Sequence, residues 1–497
     1  MKHIFTLTLL LLFTATVNSQ QFIWAESYDI SNTNEVAAMT VDADSNVYIT
    51  GIHNAPSTLP YKGDAYILKT TSVGEVLRTD YIFGQLLIGD MIAVGTDVLI
   101  VGQSTNAFVY RGSSYEDGQY FMFMMMIDAS GNHLWHITDQ SKWGAYASIS
   151  LGNTGNIAVH VRNQSNLGDW ILILDPDGNI LKSKQVSSAF TLVKDIAFYN
   201  DKIYFNGGFN GPGTVMVDTI LIELPQTQNA SITMGLNEDL TAEWLFMDET
   251  FNNATGRIVA NENGLYVYEQ VVEGGFTPEN TLKKLSFDGQ LMVEVIVPFF
   301  THLASFRADM VSTPTYIGLF TQNASDFNSH KVVLFNHDLA LESEKIINGP
   351  SVYYSGQISS IGDEIFVSHV HKGDLVFVDD LTLPYNGTGN KAYISNLSFS
   401  SVATYVENPF QDIGFMVFPN PSNQWISVNY DGNLYSLQSI KIFDQAGSVV
   451  LNNKFSKQFN NIDVRNLPRG VYYLHAVFSD KKSHAEKSVS RKIILAD

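Results

Sequence analysis

The chain has 497 residues, 45 % hydrophobic and only 16 % charged, and it contains no cysteine. That length accommodates two or more domains, and the absence of thiols excludes disulfides and a lipid-bearing cysteine. Fifty acidic residues oppose 29 Lys and Arg for a net charge of −21, distributed as −26 over residues 20–414 and +4 over residues 415–497. An asymmetry of that size marks a domain boundary, and the acidic part repels phosphate, which excludes nucleic acid as its partner.

In chain order, Met1-Lys-His, the apolar run from Ile4 to Phe13 and the small-residue exit at Val17-Asn-Ser19 have the layout of a secretory signal peptide over residues 1–19. The run is too short to anchor the chain in a bilayer, so the protein is expected to be exported. Phe22-Ile-Trp-Ala-Glu-Ser-Tyr28 follows, resembling the final strand of a four-stranded unit whose other three strands are missing.

Val41-Asp-Ala-Asp-Ser-Asn-Val-Tyr-Ile-Thr-Gly51 then reads as strand, tight turn, strand, because β-branched and aromatic residues flank a run of small polar ones. Its second strand returns at Val98, Ile157, Ile203, Leu265, Thr315 and Ile365, with a mean spacing of 53 residues. A second hairpin signal, apolar runs around an Asp-Gly or Ser-Gly turn, follows several copies, as in Ile171-Leu-Ile-Leu-Asp-Pro-Asp-Gly-Asn-Ile-Leu181. Two hairpins per unit make one propeller blade, and seven copies predict about seven blades over residues 20–405. Val217–Leu224 and Val378–Pro384 are extra segments before a third strand. These units resemble the β-propeller repeats of exported bacterial proteins, a resemblance that implies a fold and no activity. Phe22–Tyr28 is expected to complete the last blade and close the ring, which removes two exposed sheet edges.

Few residues in the repeats suggest chemistry. Asp42, Asp44 and Asn46 have spacing that suits one loop around calcium, but the same residues make a good turn, and later repeats do not repeat the acidic pattern. The turn reading is preferred, so no cofactor is expected beyond that calcium candidate. His369 and His371 would share one strand face, and without a third ligand they read as part of an exposed strand rather than a metal pair. Phe121–Ile127 reads as a strand buried on both faces, and Trp135 as a contact between blades. Common hydrolase, metalloprotease and nucleotide-binding motifs do not occur, and no catalytic residue is nominated.

Residues 406–414 read as a linker, and the signature then changes. Pro419-Asn-Pro421, the Asp444-Gln-Ala-Gly447 turn, Leu467-Pro-Arg-Gly-Val-Tyr472 and the basic, apolar strand around Lys492 resemble the C-terminal sorting domain of the type IX secretion system, over residues 415–497. Read by themselves, Pro419 and Pro421 remove ladder donors, Gly447 and Gly470 allow turns, and the alternating runs predict a small immunoglobulin-like β-sandwich. The resemblance carries Asn420, Pro468, Tyr472 and Lys492 over as motif positions. It implies passage through the periplasm, recognition by the type IX translocon and its sorting peptidase, and release from the cell or attachment to its surface. The expected protein is therefore an all-β, seven-bladed propeller followed by a sorting sandwich. It is expected to be a binding or structural module for a glycan or protein ligand; the alternative is a carbohydrate-active hydrolase or lyase.

Overall fold

A computed structural model gives the structure of residues 19–30, 35–54, 62–115, 120–163, 168–187, 191–210, 213–218, 220–224, 229–248, 255–270, 280–297, 308–322, 328–350, 356–377, 381–385, 389–400, 416–418, 422–430, 435–444, 449–454, 461–481 and 486–495. The leader expected over 1–19, except Ser19, and the linker expected over 406–414 lie outside the described residues. Among the described residues every regular element is a β-strand, in two compact units within Asn18–Ser400 and Ser401–Asp497.

In the first unit the described strands form seven four-stranded antiparallel blades. Blade 1 takes Ala38–Val41, Val47–His53, Gly63–Thr70 and the first half of Val76–Val94. That last strand serves two blades, because beyond Leu86 its backbone pairs with Asp97–Ser104 and becomes the innermost strand of blade 2. Phe121–Ile127 and His133–Asp139 complete blade 2. The innermost strands of blades 3 to 7 are Lys142–Leu151, Thr191–Tyr199, Thr255–Asn261, Asp309–Ser312 and Gln357–Ile361. Each innermost strand touches the next, and Gln357–Ile361 touches Ala38–Val41, so the cycle is closed. The repeat beginning at Val47 is the second strand of every blade, and the Asp-Gly or Ser-Gly hairpin joins the third and fourth strands.

Blade 7 closes as the sequence suggests. Ser19–Tyr28 pairs with Lys391–Ser400, with partners from Ser19↔Ser400 to Tyr28↔Ala392 and one bulge between Phe22 and Trp24. The N-terminal strand thus covers an edge that would otherwise expose a row of unpaired amides.

The middle strands are covered on both faces by neighbouring blades, so most of their side chains are apolar, and polar ones such as His160 and Lys283 are enclosed with partners. Phe121–Ile127 is buried along its whole length. The outer strands bury one face and expose the other, leaving Leu77, Leu134, Leu181 and Met292 exposed at corresponding positions. One side chain further along, the outer strand is tied to the next blade. The Trp135 indole donates to Pro176 O at 2.9 Å, Trp24 to Ser72 O at 3.1 Å and Trp244 to Phe287 O at 3.0 Å. Arg78 and Lys182 make the same link, to Ala129 O at 2.7 Å and Glu238 O at 2.6 Å. Gly178 shows why glycine follows Asp in these turns: its φ is 85°, and a Cβ would lie 2.6 Å from the Trp135 ring.

Blades 2, 4 and 7 carry an inserted hairpin between their second and third strands: Phe108–Tyr110 with Ser113–Tyr115, Gly213–Val217 with Ile220–Leu224, and Leu375–Phe377 with Thr382–Leu383. Each joins the outer edge of the preceding blade, through Ile82↔Tyr110, the Ser187↔Val217 bridge and Ile347↔Phe377. The hairpins of blades 4 and 7 coincide with the extra segments read from the sequence at Val217–Leu224 and Val378–Pro384, of which residues 219 and 378–380 lie outside the described residues; the blade 2 hairpin was not foreseen.

His369 and His371 do not lie on an exposed strand; both are buried. Glu364–His371 is the second of four strands in blade 7, packed by Ile365 and Val367 on one side and by Phe366 and Val370 on the other.

In the second unit, Met416–Phe418, Trp425–Asn429 and Asn461–Asp463 form one sheet. Val449–Lys454, Tyr435–Phe443, Gly470–Asp480 and Glu486–Leu495 form the other. Ile426, Val428 and Ile462 from the first sheet share a core with Ile440, Ile442, Leu474, Phe478, Ile493 and Leu495 from the second, which makes a β-sandwich.

Candidate functional site

The innermost strands enclose a central channel of about 540 Å³, lined by all seven blades. Five of its polar lining residues, Asp90, Asp195, Arg257, Asp309 and Gln357, occupy one repeated position on blades 2 and 4 to 7, which Ser148 fills in blade 3; each is followed by Ile or Met. The strand register shifts just before Asp90, Ser148 and Asp195, an irregularity that re-aims the side chain.

At four of the six positions the side chain accepts a hydrogen bond from the backbone of the next blade. Asp90 Oδ2 accepts from Ile149 N at 2.8 Å, Ser148 Oγ from Ile196 N at 3.3 Å, Asp195 Oδ2 from Ile258 N at 3.0 Å and Asp309 Oδ2 from Ile358 N at 3.0 Å. The other carboxylate oxygens are engaged as well. Asp90 Oδ1 accepts from Met91 N at 2.8 Å, Asp195 Oδ1 from Ser148 Oγ at 2.5 Å, and Asp309 Oδ1 lies 3.2 Å from Arg257 Nε. A chain of side-chain clips thus runs around the channel, each joining one blade to the next.

The electrostatics follow from enclosure. Burial pushes the Asp90 carboxyl up to about 7, against the opposing pull of its two backbone donors and Arg257. Burial likewise raises Asp309, with Arg257 pulling the other way.

The sequence-nominated residues lie elsewhere. Asp42 is buried in the first turn of blade 1, where Oδ1 accepts from Asp44 N at 3.0 Å and Asn46 N at 2.8 Å, and Oδ2 accepts from Asn46 Nδ2 at 2.9 Å. Lys69 Nζ stands 3.5 Å from Oδ2. The same arrangement recurs at Asp128 with Asn132 and at Asp175 with Asn179, which makes it a turn device of this fold.

Two further clusters were not legible in the sequence. His160 Nε2 lies 3.0 Å from Asp169 Oδ1, and Ser187 Oγ donates to Asp169 Oδ2 at 2.7 Å, all three residues being buried. Here the carboxylate stands between Ser and His, so the imidazole cannot take the hydroxyl proton as a nucleophilic relay requires. Lys283, buried between blades 4 and 5, meets Glu269 and, at 2.6 Å, Asp248.

At the closing blade, His371 Nε2 lies 2.8 Å from Ser27 Oγ and Nδ1 lies 2.8 Å from Gly373 O. Burial lowers the His371 pKa; Lys391 lowers it further, and Gly373 O and Asp374 act in the opposite sense. For a base depressed in the folded state, the unfolded chain takes the proton first. Stability is therefore complete above the ordinary imidazole value of about 6.5 and is lost as pH falls below it. Hydrogen-exchange protection of the closing strand Ser19–Tyr28 is expected to fall on going from pH 7 to pH 5. In His371→Asn that decline should flatten; an equal decline would place its cause elsewhere.

In the sandwich, Pro419, Asn420, Pro421 and Gly447 lie outside the described residues. The buried Tyr472 donates its hydroxyl to Pro468 O at 2.8 Å, and Gly470 starts its strand at φ 154°. Lys492 belongs to the last strand, opposite Tyr473.

Residues 416–495 match the family described as "Secretion system C-terminal sorting domain". No curated protein matches the chain. Among solved structures, polysaccharide lyase Uly1 is 10 % identical with TM-score 0.43, over 73 % of this chain and 90 % of that one. A subtype N10 neuraminidase-like protein of A/little yellow-shouldered bat/Guatemala is 12 % identical with TM-score 0.35, over 76 % and 100 %. CoXyl43, a GH43 β-xylosidase/α-arabinofuranosidase from a compost microbial metagenome, is 11 % identical with TM-score 0.30, over 55 % and 98 %. Blades joined in a closed cycle, followed by a sandwich that matches the sorting family, make this chain an exported β-propeller protein with a type IX secretion sorting domain.

Proposed function

We propose that the chain is a non-catalytic propeller displayed outside the cell, where it binds a surface glycan or protein. In this reading residues 20–405 are the functional body, 406–414 the linker, and 415–497 the element presented to the type IX translocon and its sorting peptidase, including Pro419, Asn420, Pro421, Gly447, Pro468, Gly470, Tyr472 and Lys492. The observation that carries the non-catalytic part is the clip chain: all six oxygens of Asp90, Asp195 and Asp309 already have backbone, Ser148 or Arg257 partners. Those carboxylates hold blades together rather than standing ready for proton transfer.

Removing residues 488–497 is expected to leave a folded propeller in the periplasm, while the intact chain appears outside the cell, shortened by about 80 residues as a separable domain allows. Cell fractionation with mass spectrometry reads both results. Normal export of the truncated chain would refute the sorting role, and an external protein still carrying Tyr472 would refute the cleavage.

One observation favours a second reading, a carbohydrate-active enzyme working in the channel. A carboxyl near neutrality in an enclosed site, Asp90, suits a general acid. Polysaccharide turnover that disappears in Asp90→Asn, with the fold intact by circular dichroism, would support that reading against the first.

A further inference from the structure

The outer strand of blade 2 carries two imidazoles, His133 and His136, whose nitrogens face each other: His133 Nε2 lies 3.1 Å from His136 Nδ1. Residues three apart on a regular strand point to opposite faces. Here the register shifts between His133 and Trp135, and that bulge brings the two rings to one side. The inserted hairpin adds a third ring. Tyr115 lies 5.0 Å from the His133 ring and 5.1 Å from the His136 ring, and the imidazole centroids are 5.1 Å apart.

We propose that His133 and His136 form a surface site for a late first-row divalent metal ion such as Zn²⁺ or Cu²⁺. Bonds of about 2.0–2.1 Å in a tetrahedral arrangement place two imidazole nitrogens roughly 3.3 Å apart, so the pair needs to open only slightly. Without metal only one nitrogen carries the shared proton, while an ion uses the lone pairs of both. His136 is exposed, which leaves the remaining coordination positions to water. The acidic field of the propeller, net −26 over residues 20–414, attracts the cation. Imidazole suits zinc, copper and nickel, whereas calcium and magnesium prefer oxygen, so the site should discriminate between the two groups.

The test is titration of the untagged full-length chain with Zn²⁺ and with Cu²⁺ at pH 7.5, read by calorimetry and, for copper, by electron paramagnetic resonance. One saturable ion per chain is expected, with two nitrogen ligands in the copper spectrum. His133→Ala and His136→Ala should each weaken binding at least tenfold, and Asp42→Ala should leave it unchanged. Affinity should fall on acidification, because protons compete with the ion for the imidazole nitrogens. Absence of saturable binding, or unchanged affinity in His136→Ala, would leave the pair as a hydrogen bond and overturn the proposal.

Discussion

Deleting residues 20–28 is expected to lower stability and cause aggregation, because it uncovers the edge of Lys391–Ser400 and removes a whole strand from blade 7. The graded version is Phe22→Ala. Phe22 is 3 % exposed and meets the Phe377 ring edge-on at a centroid distance of 4.8 Å. Truncating a buried aromatic of this kind costs about 3–5 kcal/mol. Trp24 and Tyr28, which reach Ser72 O and Gly74 O in blade 1, lose their anchor when the strand is gone, so the junction with blade 1 weakens as well. Chemical denaturation and analytical ultracentrifugation of both variants read the effect. A deleted chain with an unchanged sedimentation profile and an unchanged midpoint would mean that the N-terminal strand is an ornament on a ring closed by other contacts.

Much of this architecture was legible because the hydrophobic pattern repeats with the blade. Val47, Val98, Ile157 and their counterparts begin, lie within or, for Thr315, immediately precede second strands, where burial on both faces favours apolar side chains. The closing strand was legible because Phe22-Ile-Trp24 copies the outer-strand pattern of His133-Leu-Trp135. The channel was not. Asp90, Ser148, Asp195, Arg257, Asp309 and Gln357 share a place in the blade but not a residue type, and their common mark is only a polar side chain before Ile or Met. A two-residue signal of that kind occurs by chance throughout a chain this long.

The histidines failed for a related reason. Alternation places His369 and His371 on one face, but it does not say whether another blade covers that face. In blade 7 it is covered: the His330 ring of blade 6 packs 4.4 Å from His369, and Ser27 of the N-terminal strand meets His371. His133 and His136 were missed because regular alternation separates them, and only a bulge reunites them. Local irregularities of register are set by tertiary packing, so side-chain pairs that depend on them are invisible to periodicity.

Lys283→Met is expected to be among the most damaging single substitutions in the propeller. Lys283 and Glu269 are 1 % and 0 % exposed, and Ser231 Oγ and Asn206 Nδ2 also donate to Glu269, the latter at 3.4 Å. Burial holds the Glu269 pKa above its ordinary range, while Lys283 pulls it down. Removing the cation strands a carboxylate in the interior, and breaking one side of a buried pair costs about 3–5 kcal/mol. The sign of the pH dependence follows. Without Lys283 the folded pKa of Glu269 rises further, so the stability it leaves is complete below the unfolded value near 4.3 and is lost as pH rises through the folded value. The deficit of Lys283→Met against the wild type should therefore be largest near pH 8 and shrink towards pH 5. Adding Glu269→Gln should recover part of it, because a neutral amide can remain bonded to Ser231 without its counter-ion. Urea melts of the four proteins of this cycle at both pH values measure the coupling directly. A Lys283→Met deficit that is the same at pH 5 and pH 8 would mean that the lysine acts through its packing over the Phe246 ring, 5.7 Å away, rather than as the counter-ion of Glu269.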